Sequence, residues 1–335
     1  MHTQNLGILI GRFQPLHLGH VHLIEAALKQ CEHLLIVIGS ANRARNLKNP
    51  FSFNERKNLI TETFPNVKLH FAAIPDFFYS ETAWLEAVKS AVAEISPLKT
   101  TPTLFGYSKD ETTYYLNEFP AWHYVELPNF KGINATEIRQ NYFLNSHISH
   151  TDIPQTTQVF LENFQTTSEY ARISEEAHFV KSYKASWAQS PYPPLFVTTD
   201  ALVTCQEHIL LIKRKFCPGK GLYALPGGFL EENEWIKTGL IRELVEETKI
   251  GMSEADLEKH LKSIRVFDYP DRSLIGRVIT HCGHFDLPGP LPTIEAADDA
   301  LETTWIPRST LFKLRDQFHD DHYQIITTVL NCSGL

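Results

Sequence analysis

The chain has 335 residues, 43% of them hydrophobic and 21% charged, with a formal net charge of −8; it is long enough for two domains and reads as soluble, and its acidity argues against a general nucleic-acid binder, which would carry a basic surface. The five cysteines (Cys31, Cys205, Cys217, Cys282, Cys332) are scattered and odd in number, which argues against a disulfide framework, and no apolar run approaches the roughly 18–20 residues of a membrane span. The first residues lack the basic and apolar regions of a signal peptide, so a reducing cytoplasm is the expected compartment.

From residue 6 to about 145, short branched apolar runs alternate with helical patterns. "LGILIG", "HLLIVIGS", "VKLHFAAI", "PTLFGYS" and "HYVELP" predict buried strands. Between them, "HVHLIEAALKQC", "FNERKNLITETF" and "ETAWLEAVKSAVAEI" repeat apolar residues at three and four, as in Val21, Ile24, Ala27 and Leu28. Such alternation predicts an α/β, Rossmann-like domain with a parallel sheet over residues 1–150. Residues 151–192 hold no convincing strand and read as a helical connector, closed by "SPYPP" at 190–194. Over 193–335 the pattern changes. "LFVTTDALVTCQEHILLIKRK" predicts an antiparallel hairpin, followed by a glycine-rich turn and a helix, an α+β domain.

The first strand runs into "GRFQPLHLGH", residues 11–20. In an open parallel sheet, ligands bind beyond the carboxyl ends of the strands, and a helix start presents free N–H groups to phosphate. Gly11 and Gly19 allow close approach, Arg12 adds a positive charge, and His17 and His20, three apart, share one face of the first turn. Two imidazoles there can donate hydrogen bonds to one phosphate.

This string resembles the H-x-G-H signature of the nucleotidyltransferase superfamily, in the form of the archaeal-type nicotinamide mononucleotide adenylyltransferases. "GINATEIR", 132–139, resembles the family's later turn and helix start: Asn134 and Thr136 stand where small hydroxyl residues are usual, and Arg139 matches the arginine. Asn134 departs from the usual serine but can cap a helix. "IGSANRARNLKNPFSFNER", 38–56, resembles a phosphate-contacting loop, with Arg43, Arg45 and Arg56, and "GYSKDETTYYL", 106–116, with Lys109, resembles a further element. Trp84 matches a tryptophan used near the nicotinamide; core packing is its alternative reading. The resemblance implies attack of a phosphate oxygen of nicotinamide mononucleotide on the α-phosphate of ATP, giving NAD and pyrophosphate, with His17, His20, Arg12 and Arg139 stabilising charge and Mg²⁺ (or Mn²⁺) assisting.

In the second half, Gly228 is followed after five residues by Glu234, and seven residues later come Arg242, Glu243 and Leu244, then Glu246, Glu247 and Ile250. Glu243, Glu246 and Glu247 are spaced to share a helix face, where crowded carboxylates favour a hard divalent cation, Mg²⁺ or Mn²⁺, able to clamp a diphosphate and activate water. Glu246 would be the catalytic carboxylate among these ligands, and Arg242 would pair with a carboxylate such as Glu234. The stretch resembles the Nudix box, with Lys249 where glycine is usual, so the turn ending the helix is expected to change. "KRKFCPGKGLYALPGG", "VFDYPDRSLIGRVIT" and "ADDALETTWIP" resemble Nudix enzymes acting on ADP-ribose, which implies hydrolysis to AMP and ribose 5-phosphate. Over its whole length the chain resembles bacterial bifunctional proteins joining the two domains. "HCGH", 281–284, reads as a strand rather than a zinc site, since alternation splits its residues between two faces.

The alternatives are a nucleotidyltransferase for another phosphate acceptor, and a Nudix half that binds ADP-ribose as a non-catalytic sensor. The expected small-molecule partners are ATP, nicotinamide mononucleotide, NAD and ADP-ribose, with no nucleic acid and no membrane; the choice between amide and acid mononucleotide and a homo-oligomeric state are left open.

Overall fold

The computed structural model describes residues 6–95, 101–107, 118–128 and 130–330, and the chain divides into two compact units, Met1–Ala177 and His178–Leu335. In the first, strands β1 (Leu6–Gly11), β2 (His33–Ile38), β3 (Leu69–Ala73), β4 (Thr103–Gly106) and β5 (His123–Glu126) form a sheet of order β3-β2-β1-β4-β5, with every pairing parallel. Parallel pairs require crossovers, which helices α1 (Leu18–Leu28), α2 (Phe53–Thr63) and α3 (Glu81–Ile95) supply between the first four strands.

The central strands β1, β2 and β4 are largely buried, whereas the edge strands β3 and β5 are half-buried or exposed, so "HYVELP" is not the buried strand expected; the alternation of β2 shows how both faces are covered. Leu34, Ile36 and Ile38 pack with Ile24 and Ala27 of α1 and Leu59 and Ile60 of α2. Leu35 and Val37 point the other way, onto Val88 and Val92 of α3. Helices α4 (Ala135–Asn145), α5 (Gln155–Phe164) and the first part of α6 (Ser168–Ser186) add a third cluster built on Phe51, Tyr142, Phe143, Leu161 and Ile173. Residues 151–192 thus contain α5 and α6, and the second unit begins at His178, within α6.

The second unit contains β6 (Leu195–Cys205), β7 (His208–Arg214), β8 (Tyr223–Ala224), β9 (Gly227–Phe229), α7 (Ile236–Thr248), α8 (Glu254–His260), β10 (Leu261–Phe267), β11 (Arg277–Leu287), β12 (Ala300–Pro307), a 3₁₀ helix (Arg308–Gln317) and α9 (His322–Val329). Its mixed sheet has the order β10-β11-β6-β7-β12, with β8 paired to β7 and β9 to β6; β6 and β11 are parallel and the other pairs antiparallel. The expected hairpin is β6–β7, and Leu240 and Leu244 of α7 pack on Val203, Leu210 and Phe285 of the sheet. "HCGH" lies inside β11: a Cβ at Gly283 would run into Leu240, and His284 Nε2 lies 3.0 Å from Thr204 Oγ1.

One local expectation is corrected. Lys249 does not alter the turn that ends α7: it takes the left-handed conformation itself (φ 43°, ψ 37°), and its N–H reaches the Val245 carbonyl. The lysine keeps the glycine-type cap, at a conformational cost of about 1 kcal/mol.

Candidate active sites

The connections of the first sheet reverse direction between β1 and β4, so the crevice lies beyond their carboxyl ends. The chain leaves β1 at Gly11 and enters α1 through a reciprocal cap made of two histidines. His17 Nδ1 accepts from the His20 backbone N–H, and His20 Nδ1 accepts from the His17 N–H, each at 3.3 Å. The rings stack with centroids 3.6 Å apart. An imidazole accepting at Nδ1 carries its proton on Nε2, so the cap orients both rings with Nε2 as the donor and favours the neutral form of His20. Burial and the neighbouring His17 hold His20 well below the usual histidine range. Gly19 is required by this geometry, since a Cβ there would lie 2.9 Å from the His17 ring.

Phe13, which the sequence reading passed over, completes the turn. It adopts φ 51°, is buried, and its ring centroid lies 4.7 Å from that of His20. A Cβ at Gly11 would lie 3.0 Å from the Phe13 ring. Gln14 was also missed: its buried amide donates to the Phe51 carbonyl and accepts from the Phe51 N–H. Positive φ at a buried phenylalanine stores strain that the surrounding packing must hold.

The arginines divide by environment. Arg12 is exposed beside the cap. Arg139 is buried, and its guanidinium donates to the Gln14 and Leu47 carbonyls and to Thr136 Oγ1, which ties α4 to the turn after β1. Burial and the nearby Arg12 lower its pKa to about 9. Asn134 caps α4 by accepting from the Thr136 N–H at 2.9 Å.

The three arginines of the expected phosphate-contacting loop all bond other protein groups. Arg56 is 1% exposed and donates to the carbonyls of Arg12, Gly39, Ser40 and Ser52. Arg45 makes a two-pronged pair with Glu55, at 2.7 and 2.9 Å, and donates to the Pro50 carbonyl. Both brace the loop that borders the crevice, because its carbonyls need donors and arginine supplies several in one plane. Arg43 pairs with Asp76 at 3.4 Å. Trp84 is half-buried in α3, 6.0 Å from Phe119 within the apolar cluster on that face of the sheet. Lys109 lies outside the described residues.

In the second unit, Gly227, Gly228, Arg242, Glu243, Glu246 and Glu247 border one cavity of about 510 Å³. Arg242 holds Glu234 with two hydrogen bonds, at 2.8 and 2.9 Å, and also donates to Glu243 and Glu246. Glu247 is 3% exposed and accepts from the Gly227 N–H at 2.8 Å; burial pushes its carboxyl up to about 8. Burial also raises Glu243, against the pull of Arg242. Gly228 allows this crowding, since a Cβ there would lie 2.6 Å from Glu243 Oε1.

Among the described residues, no three His, Cys, Asp or Glu side chains converge as a ready-made metal cage, and in this arrangement Arg242, itself on α7, bonds Glu243 and Glu246. The donor set still suits a hard cation: its atoms are carboxylate oxygens, and a carboxyl buried as deeply as Glu247 gains most from a nearby positive charge. Arg272, Asp200 and Thr280 also line the cavity; Arg272 pairs with the fully buried Asp321 through two bonds of 2.8 and 3.0 Å, and Asp200 accepts from Thr280 Oγ1. Arg272 and Asp321 stand 49 positions apart, and no local spacing signals their pairing.

Fold and sites together define a nucleotidyltransferase unit followed by a Nudix unit. The chain belongs to the cytidylyltransferase-like family, whose model matches residues 8–186, and residues 194–329 match the NUDIX domain model. It is similar along its whole length to a crystal structure from Francisella tularensis, described as a bifunctional NMN adenylyltransferase/ADP ribose pyrophosphatase complexed with AMP and Mn ion. The two are 39% identical with a TM-score of 0.94, over 99% of this chain and 100% of that one. A nicotinamide/nicotinic acid mononucleotide adenylyltransferase of Acinetobacter baylyi is 37% identical over 173 residues, 50% of this chain and 91% of its own length. An ADP-ribose pyrophosphatase of Methanocaldococcus jannaschii is 36% identical over 130 residues, 39% of this chain and 70% of its own. Nudix hydrolases depend on metal.

Proposed function

We propose that the chain is a bifunctional enzyme of NAD metabolism. The first unit transfers the adenylyl group of ATP to nicotinamide mononucleotide, giving NAD and pyrophosphate. The second hydrolyses ADP-ribose to AMP and ribose 5-phosphate.

The observation that carries the first activity is the double-histidine cap at the switch point of the sheet. Transfer between two anions needs no protein nucleophile. It needs donors fixed where negative charge spreads during in-line displacement. The Nε2–H groups of His17 and His20 are such donors, preorganised by bonds at their Nδ1 atoms, and Arg12 adds an exposed positive charge. Arg139 acts from below by holding the backbone of Gln14, and Asn134 and Thr136 shape the start of α4 beside the site. Mg²⁺ would reach this site on the phosphates of ATP, its usual mode with nucleotides.

For the second activity, Glu243, Glu246 and Glu247 would hold Mg²⁺ or Mn²⁺, and the metal supplies charge for the diphosphate and an activated water. Arg242 keeps the loop before α7 in register through Glu234, and the Gly227 N–H aims Glu247. Product analysis tests both activities: the purified chain with ATP, Mg²⁺ and each mononucleotide should release pyrophosphate and a dinucleotide, and with ADP-ribose it should release AMP. Transfer to some other phosphate acceptor instead would overturn the first assignment. Binding of ADP-ribose without hydrolysis would overturn the second and leave a sensor.

A further inference from the structure

The wall of the Nudix cavity includes residues from outside the matched Nudix stretch. Phe179 and Tyr183 lie on α6, before residue 194, and both border the cavity together with Phe216 and Phe229. The rings are linked in a chain. Phe179 and Tyr183 stack with centroids 6.0 Å apart, Tyr183 lies 5.8 Å from Phe196, and Phe196 lies 5.7 Å from Phe229. Phe196 is buried and accounts for the packing of α6 on the sheet. It does not account for the exposed rings: Phe179 is 37%, Phe229 47% and Phe216 54% exposed. A single exposed aromatic is ordinary, but several converging on a cavity that also carries the acidic helix form an amphipathic site with one apolar and one anion-handling side.

We propose that Phe179 and Tyr183 of α6 form the nucleobase-binding wall of the Nudix site, so that the helix preceding the Nudix fold determines its preference for a nucleoside diphosphate. The inference rests on the reading of the second unit as an ADP-ribose hydrolase. A flat purine would stack on the rings of α6, Phe216 and Phe229, while its diphosphate meets the carboxylates of α7. Stacking tolerates many bases, so the wall selects for the presence of a base rather than its identity.

The test uses the full-length chain in a Glu246→Gln background with Mg²⁺, so that ADP-ribose is not consumed, and reads affinity by titration calorimetry. Tyr183→Ala and Phe179→Ala should each weaken ADP-ribose about tenfold, the scale of one lost stacking partner. Tyr183→Phe should restore it, and ribose 5-phosphate, which has no base, should bind all of them alike. Only differences between parent and variants are read, so binding at the first unit cancels. Unchanged ADP-ribose affinity in both alanine variants would overturn the proposal, as would an equal loss for ribose 5-phosphate, which would mark a purely structural role. Hydrolysis of ADP-ribose by the unsubstituted chain is measured separately: its absence would count against the hydrolase reading, and the binding differences would still decide the role of α6.

Discussion

Two histidines that cap each other are polarised by the backbone, and this sets their chemistry. Because each Nδ1 accepts a backbone N–H, protonating either ring costs that bond, and burial adds to the cost at His20. Nitrogen-15 spectra at pH 6.5 should show His20 as the Nε2–H tautomer; an imidazolium pattern there would contradict the cap. With the folded pKa of His20 depressed, the unfolded chain binds more protons, so its contribution to stability is present above about pH 6.5 and is lost as the pH falls below it. Removing one preorganised donor by His17→Ala should lower adenylyl transfer by roughly a hundredfold or more, measured as pyrophosphate release, whereas near-normal turnover in a folded variant would contradict the role. Glu247 shows the opposite sign. Its carboxyl is pushed up to about 8, so at neutral pH a metal must displace a proton. Mn²⁺ affinity at the Nudix site should therefore rise by close to tenfold per pH unit up to about pH 8 and level off above; a flat profile from pH 6 to 8 would place the metal away from Glu247.

The elements on which these residues stand were legible to different depths. The alternation of apolar strands and helices gave the parallel sheet, and the box spacing gave α7, because both signals are local and periodic. A basic run such as that of Arg43, Arg45 and Arg56 looks alike whether it faces an anion or a set of carbonyls, so the bracing contacts of Arg45 and Arg56 carry no sequence signal. The carbonyls that Arg56 satisfies belong to residues 12, 39, 40 and 52, brought together only by folding. Phe13 and Gln14 were passed over because nothing in a hydrophobic or amide residue announces a positive φ or a bridge to Phe51. The aromatic wall was hidden because α6 precedes the motif it borders. Strand β9 illustrates the close approach that glycine permits: a Cβ at Gly227 would lie 2.2 Å from the Thr199 carbonyl and 2.5 Å from Asp200 Oδ1. Gly227→Ala must push β9 away from β6, at a cost of about 1–3 kcal/mol, and should disturb the N–H that aims Glu247. Calorimetric unfolding together with ADP-ribose hydrolysis should both decline; an unchanged melting profile would show that the strand pair accommodates the methyl group.

At the scale of the whole molecule, each unit contains its own hydrophobic clusters and its own site. The clusters around β1 to β5 and around α4 and α5 draw only on residues up to Ala177, and the clusters of the mixed sheet draw only on residues from Ala201 onward. The site residues divide in the same way, with Gly11 to Arg139 in one unit and Gly227 to Asp321 in the other. No helix among the described residues is long and apolar enough to cross a membrane. We propose that one chain performs two chemically separate reactions on nucleotides, one resting on fixed histidine donors and one on a metal-binding carboxylate face. The most direct test assays both reactions on a single preparation of Glu246→Gln with excess Mg²⁺ or Mn²⁺. Hydrolysis of ADP-ribose should fall by a hundredfold or more while synthesis of NAD stays within about twofold of the unsubstituted chain. Unchanged hydrolysis, or loss of both activities in a chain that remains folded, would contradict the account.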